Sequence, residues 1–173
     1  SLTDSYRVIA PDLPGHGETD KHPDESYSVV RQTERLHAFV ETLKLGQFHL
    51  VGSSMGGAIA AYYASKHPRS VASLTLIDAA GVESPEKSAM ALALEQGENP
   101  LLVRSAEDFD RMLRFTTVKP PYIPGPIKAH FARRAVLNRP FHEKIFADIR
   151  AEQVLTRTRL AAIRAPTLIL WGD

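Results

Sequence analysis

Hydrophobic and polar positions along the first 81 residues follow two patterns in turn. Short apolar runs rich in β-branched residues predict strands, whereas apolar positions that recur every three or four residues predict helices. The predicted strands are YRVIAPDL (6–13), FHLVG (48–52) and VASLTLID (71–78). Helices are predicted from Ser28 to Leu43 and over GGAIAAYYASKH (56–67). Because short links join these elements, we expect parallel strands with right-handed crossovers.

The pattern changes after Gly81, where helical spacing replaces the strand signals. Helical segments are predicted at 84–95, 105–115 and 127–155, and APTLILW (165–171) predicts a last strand. We therefore predict an α/β fold with a doubly wound, mostly parallel sheet and a helical insertion after the third strand. The expected division is a core of residues 1–81, a helical segment of 82–162 and a return strand in 163–173.

Two local signals refine these boundaries. Gly46 follows the first predicted helix at a position typical of a C-cap glycine. Ser105 and Asp108 have the spacing of a capping box at the start of a later helix.

Composition limits the classes of function. The 173 residues carry 21 Lys and Arg against 20 Asp and Glu, so the net charge of +1 leaves no overall excess of cations to bind nucleic acid or an anionic membrane. The absence of Cys excludes disulfides and cysteine nucleophiles. No histidine pair has the spacing of a metal motif, so we expect neither a metal nor a cofactor. Without a recognisable targeting segment, the compartment stays open and the cytoplasm is the default expectation.

The stretch HLVGSSMGGAIA (49–60) carries the strongest chemical signal. Gly52, Ser54 and Gly56 match the pattern G-x-S-x-G, and the pattern lies between a predicted strand and a predicted helix. In such an elbow the serine hydroxyl projects above the sheet, and glycines two residues away on each side relieve crowding. The Met55 N–H and the helix dipole can stabilise negative charge there. We predict a serine nucleophile at Ser54 with Met55 in the oxyanion hole. A tight βα turn in a nucleotide-binding sheet is the alternative interpretation.

These motifs resemble the α/β-hydrolase superfamily over nearly the whole chain. VIAPDLPGHGETD (8–20) is similar to a family strand and loop, FHLVGSSMGGAIAAYYASKHP (48–68) to the nucleophile strand, elbow and helix, and PTLILWGD (166–173) to the strand before the catalytic acid. Together with RPFHEKIFADI (139–149), the chain is most similar to monoacylglycerol lipases of the abhydrolase-domain type and to bacterial lipases.

The resemblance implies a serine hydrolase that cleaves carboxylic esters of medium or long acyl chains. It also implies that the second oxyanion donor precedes Ser1, and that the catalytic acid and histidine lie beyond Asp173. The 173 residues would then be an internal fragment that has little turnover alone. A carbon–carbon bond hydrolase of the same fold, or a non-catalytic binding protein on a hydrolase scaffold, is the alternative function. Membrane contact and oligomeric state stay open.

A few residues within the chain are candidates to substitute for the base and the acid. His16, in the loop PGHG, is the nearest histidine by topology, and Asp12 or Asp78 at strand ends could orient it. Asp78 is the better of the two, although a helix or loop cap is its favoured interpretation. Asp173 is a third candidate for the acid, but the family pattern W-G-x-x-D argues against it. The remaining histidines are expected to be packing, surface or lid residues: His22, His37, His49, His67, His130 and His142.

The helical segment 82–162 is expected to form a lid over the serine. Its apolar residues would line an acyl-chain tunnel or simply hold the lid together: Met90, Leu92, Leu94, Met112, Phe115, Tyr122, Ile123, Phe131, Phe141 and Phe146.

Overall fold

The computed structural model describes residues 1–82, 86–151 and 153–172. A 3-10 turn at Leu2–Asp4 precedes the first helix. The helices are α1 (Val29–Thr42), α2 (Met55–Lys66), α3 (Ala89–Glu95), α4 (Ala106–Thr116), α5 (Gly125–Leu137), α6 (Arg139–Arg150) and α7 (Arg157–Ala161). The strands are β1 (Phe48–Ser53), β2 (Val71–Ile77) and β3 (Thr167–Leu170).

The three strands form one parallel sheet in the order β1-β2-β3. Ser53 pairs with Ile77, and Ile77 pairs with Leu170, so the carboxyl ends of all three strands meet at one edge. This confirms the predicted parallel pairing. Ligands of open α/β sheets bind at this edge. The residues that directly follow the strands are therefore candidates for binding or catalysis.

The main core lies between the sheet and helices α1 and α2. Helix α2 is apolar all round and buried over most of its length, which is typical of a helix packed between other elements. The largest fully buried apolar side chains of the described residues are Tyr27, Tyr63, Ile59 and Leu74. On β1, by contrast, alternate residues from His49 to Ser53 are exposed. Among the described residues, helices thus cover one face of β1, and the second layer expected of a doubly wound sheet is not seen there.

The first predicted strand, residues 6–13, is wrong. These residues form no ladder with any strand of the described chain, and Tyr6 and Val8 are about half exposed. Tyr6 instead packs edge-on against the ring of His49, with centroids 5.6 Å apart. A β-branched run becomes a strand only when another strand accepts its hydrogen bonds. Local pattern carries no information about that partner.

The C-cap glycine predicted at Gly46 is also wrong, although the predicted helix end at Leu43 agrees with the structure to within one residue. Helix α1 begins after Ser28, whose side chain accepts the Arg31 N–H, and it ends at Thr42. Lys44, with φ of 50°, takes the left-handed position that was expected to need Gly46. A left-handed backbone is uncommon for lysine. The sequence therefore favours the glycine two residues later for this position, and that signal is misleading.

The chain divides into two compact units at different boundaries from those expected. The first unit is Ser1–Gly81 with Asp148–Asp173, and the second is Val82–Ala147. Residues 148–162, expected to belong to the helical segment, group with the first unit because Leu155 is buried in its core and Leu160 packs against it.

The second unit is helical and has its own small core. Val103, Phe109 and Ala132 are buried together, where α4 packs against α5. The helix predicted over 127–155 is two helices that meet at Asn138. The start predicted at Ser84 lies outside the described residues, and α3 begins after Ser88.

The capping box predicted at Ser105 is half formed. The Ser105 hydroxyl accepts the Asp108 N–H at 3.2 Å, as predicted. The Asp108 carboxylate, however, accepts the N–H of Arg104 at 2.9 Å.

Within the described ranges, no helix has the length and hydropathy needed to cross a membrane.

Candidate functional site

Ser54 occupies a strained turn between β1 and α2. Its φ of 49° and ψ of −118° lie outside the helical and extended regions. Only three non-glycine residues of the described chain have a positive φ, and the others are Lys44 and Asp78. Such a conformation costs about 1–3 kcal/mol and persists only where the surroundings impose it. Ser54 is exposed at the edge where the strands end, and its surroundings impose its strained backbone. It is therefore a candidate for chemistry.

Four backbone hydrogen bonds fix this turn. The Ser54 N–H donates to the carbonyl of Ile77 at 2.9 Å, which extends the β1–β2 ladder by one bond. The Ser54 carbonyl accepts the N–H groups of Gly57 at 2.9 Å, Ala58 at 3.2 Å and Ala80 at 3.0 Å. The turn is therefore tied both to the first turn of α2 and to the segment that follows β2.

Two glycines allow the close approach of strand and helix. A Cβ at Gly52 would overlap the Gly56 carbonyl oxygen and lie 2.8 Å from the Ala60 Cβ. A Cβ at Gly57 would lie 2.6 Å from the Ala79 Cβ. A Cβ at Gly56 would meet nothing within 4 Å. The crowding expected at Gly52 and Gly56 is thus found at Gly52 and Gly57.

The start of α2 is suited to stabilise an anion beside Ser54. Ser54 is the N-cap, yet its side chain does not cap the helix by a hydrogen bond. The first N–H groups of a helix have no partner within it, and the helix dipole is positive there. Met55 is the first residue of α2, so its N–H belongs to this set. The exposed Ser54 hydroxyl therefore lies next to the N–H groups of the first turn of α2.

Asp78 lies beside this turn but holds another segment. It follows β2 directly with φ of 45°, one residue after the Ile77 carbonyl that accepts from Ser54. Its carboxylate accepts the Gly172 N–H at 2.8 Å, while its own N–H donates to the Leu170 carbonyl at 2.9 Å. The capping interpretation of Asp78 fits these bonds.

A scan against family models matches residues 1–120 to the alpha/beta hydrolase fold. The chain belongs to the α/β-hydrolase family. The expected family and its parallel sheet with helices are confirmed. The alternative interpretation, a turn in a nucleotide-binding sheet, does not agree with this family.

Several relatives of this chain are lipases by name. Lipase 1 of Psychrobacter immobilis is 41% identical over 98% of this chain and 54% of its own length. Monoacylglycerol lipase abhd6-B of Xenopus laevis is 33% identical over 99% of this chain and 54% of its own length. A solved structure, described as a membrane phospholipase A and novel bacterial virulence factor, superposes with a TM-score of 0.91. It is 46% identical over 94% of this chain and 52% of its own. The chain spans about half the length of the curated relatives it matches.

Three histidines of the first unit are held away from Ser54. His67 caps the far end of α2, and a helix of that length separates it from Ser54 by about 20 Å. His37 of α1 stacks on His67 with ring centroids 3.8 Å apart. His49 lies five residues before Ser54 on β1, where its Nδ1 is 2.7 Å from the Ser73 Oγ. These contacts make all three packing or surface residues.

His16 is fixed within its own loop. Its backbone N–H donates to the Leu13 carbonyl at 2.8 Å, and its carbonyl accepts the Thr19 N–H and hydroxyl. Burial lowers the pKa of His16; a hydrogen bond to the Pro14 carbonyl opposes this, and the nearby positive charge of Lys21 adds to it. The Asp12 carboxylate accepts the Glu18 N–H at 3.2 Å, across the same loop. The hydrogen bonds thus support a structural role for Asp12.

The remaining predicted candidates lie elsewhere. His22 is exposed in a loop, where its backbone bonds the Tyr27 hydroxyl. His130 is exposed on α5, and His142 is half-buried on α6. Asp173 lies outside the described residues. The described residues contain no group of three or more His, Cys, Asp or Glu that could hold a metal ion.

Sequence reasoning missed the part played by the segment after β2. Ala79 and Ala80 complete the turn, since the first packs on Gly57 and the second donates to the Ser54 carbonyl. The run of small residues Ala79–Gly81 and the double glycine after Met55 were the available signals. Small residues in two separated segments indicate close backbone approach, but only when the segments are known to be neighbours.

Proposed function

We propose that the protein is a serine hydrolase that cleaves carboxylic esters, with Ser54 as its nucleophile. The observation that carries the proposal is the positive-φ backbone of Ser54, held at the N-terminus of α2 with its hydroxyl uncommitted to capping. A serine in this arrangement is presented to solvent beside helix N–H groups that stabilise negative charge.

The chemistry follows from that placement. A base removes the hydroxyl proton while Ser54 Oγ attacks the ester carbonyl carbon, and the carbonyl π electrons move onto oxygen. The Met55 N–H and the positive end of α2 stabilise this oxyanion. The oxyanion then reforms the carbonyl, and the alcohol leaves with the proton from the base. Water, activated by the same base, releases the acid from the acyl-enzyme. We expect the base and its acid partner beyond Asp173, as the family resemblance predicts.

The substrate class is proposed from the relatives. The names of the similar proteins are those of lipases, a monoacylglycerol lipase and a phospholipase, all of which act on esters of acyl chains. We propose an uncharged acyl ester of the monoacylglycerol type. The second unit is rich in apolar side chains, which suits an acyl chain better than a charged or sugar substrate. The lid role of the helical segment stays a prediction.

The test is covalent labelling of the purified whole protein, with the segment expected beyond Asp173 included, by a fluorophosphonate probe. Wild type and Ser53→Ala should both take up the probe, and peptide mapping should place it on Ser54. Ser54→Ala should lose the label and about four to six orders of magnitude of kcat on monoacylglycerols. Ser53 is the matched control because it is the exposed serine next in the chain. A label on Ser53, or unchanged turnover in Ser54→Ala, contradicts the proposal.

A further inference from the structure

The charges of the second unit are strongly uneven. Residues 111–142 contain seven of the chain's 21 Lys and Arg residues and none of its 20 Asp and Glu residues. The chain as a whole is nearly neutral, so the rest of it is net acidic. This basic segment comprises the end of α4, the α4–α5 loop (117–124), α5 and the start of α6. A local excess of cations on a nearly neutral chain indicates an anionic partner.

Some of these cations are compensated and others are not. Lys128 pairs with Asp110 at 2.7 Å, and Arg111 pairs with Asp108 at the same distance. Arg114, Lys119 and Arg133 are exposed and make no ion pair with the described residues. Two of these three, Arg114 and Lys119, flank the start of the α4–α5 loop.

The same loop exposes large apolar side chains. Val118 is 98% exposed and Tyr122 is 90% exposed, which are extreme values for a valine and a tyrosine. Phe115 and Ile127, on the helices at either side, are also exposed. Isolated exposed apolar residues are ordinary, but a cluster at a loop tip marks an interaction site.

The loop is also stiff and open. Pro120, Pro121 and Pro124 restrict its backbone, so little conformational freedom is lost when it docks. Tyr122 and Ile123 line a surface cleft of about 400 Å³ together with Leu113, Arg114 and the ion pair between Lys128 and Asp110. Apolar side chains and the uncompensated cation of Arg114 therefore meet in one place.

We propose that the α4–α5 loop docks the protein onto a membrane surface that contains anionic phospholipid. Val118 and Tyr122 would enter the boundary between headgroups and acyl chains, where tyrosine is favoured. Arg114 and Lys119 would remain at the level of the phosphates, which attract them electrostatically. A nucleic acid would explain the cations but leaves no role for the exposed valine. The docking surface lies within the second unit and does not depend on Ser54.

The test is sedimentation of the purified protein with phosphatidylcholine vesicles that contain or lack phosphatidylglycerol. Wild type should bind the anionic vesicles and release them as salt is added. Arg114→Gln with Lys119→Gln should lower partition into anionic vesicles by about 25-fold, at about 5-fold per cation. Val118→Asp and Tyr122→Asp should each lower partition by on the order of 10-fold, because apolar area no longer leaves water.

Matched controls separate docking from general charge and from misfolding. Lys66→Gln with Arg157→Gln removes two exposed cations from the first unit, and Leu2→Asp changes an exposed leucine there. These controls should bind like wild type, and circular dichroism should show all variants folded. Equal binding to both kinds of vesicle, or wild-type binding by the Arg114/Lys119 variant, overturns the proposal. Salt-sensitive binding to single-stranded RNA without vesicle binding also overturns it.

Discussion

His37 and His67 stack face to face, with ring centroids 3.8 Å apart and an angle of 19° between their planes. The pair joins α1 to the C-terminal end of α2, and the Tyr63 hydroxyl lies 3.3 Å from His37 Nδ1. Glu41 of α1 and Lys66 of α2 are the charged groups that act on His67 besides His37. Two imidazoles at this distance are compatible when neutral and repel each other when both are protonated.

This stacking predicts that the free energy of unfolding falls in mild acid. Burial lowers the pKa of His67 below 6.5, and the positive charges of His37 and Lys66 act in the same direction. The unfolded chain then binds more protons than the folded one, so stability is complete above pH 6.5 and is lost as the pH falls through the folded pKa. Urea unfolding across this range measures the slope.

The matched variants for this prediction are His67→Gln and His130→Gln. The first should flatten the pH dependence in part, because His16 also has a lowered pKa and keeps its own contribution. The second changes an exposed histidine of α5 and should leave the slope unchanged. Identical slopes in the two variants would show that the stacked pair is not the proton-sensitive element.

The glycines of the Ser54 turn predict opposite effects of the same substitution. Gly52→Ala places a Cβ against the Gly56 carbonyl, and neither backbone can move without breaking the turn, so we expect a loss of about 3 kcal/mol. Gly56→Ala meets no neighbour and lies in a helix, so a gain of about 0.5–1 kcal/mol is expected. Urea denaturation midpoints measure both, and equal midpoints for the two variants would contradict the crowding argument.

Asp78 provides a prediction that separates structure from catalysis. Asp78→Asn keeps an oxygen acceptor for the Gly172 N–H and tolerates the positive φ, so stability and ester turnover should stay close to wild type. Asp78→Ala loses the bond and disfavours the backbone, at a cost of about 1–2 kcal/mol. If Asp78 instead oriented a catalytic histidine, the asparagine variant would lose about 10⁴-fold in kcat. Steady-state kinetics of both variants decide between these roles.

Sequence alone predicted the elements whose causes are local. Ser28 caps α1, and the apolar spacing that follows it marks a helix whose other face is polar. The motif around Ser54 was readable because a strand and a helix flank it, and both are present. Parallel pairing followed from the alternation of elements and the short links.

The errors concern partners that lie far along the chain. The run at residues 6–13 has the composition of a strand, but strand formation also depends on a neighbouring strand, which the local sequence does not specify. Lys44 replaces Gly46 as the left-handed residue, and the residue after it, Leu45, donates to the Val40 carbonyl and packs against the core. Residues 148–162 join the first unit because Leu155 finds its core there. In each case non-local contacts decided the outcome.

The hydrogen bonds at Ser54 involve its backbone, and this separates the shape of the turn from the identity of its side chain. The conformation is set by Ile77, Ala80 and the first turn of α2, none of which depends on the hydroxyl. Replacement by another small unbranched residue should therefore preserve the turn, whereas threonine would suffer from the positive φ. The same scaffold could present a thiol or a carboxylate at this point. Its chemistry could change during evolution by one substitution, with no new fold required.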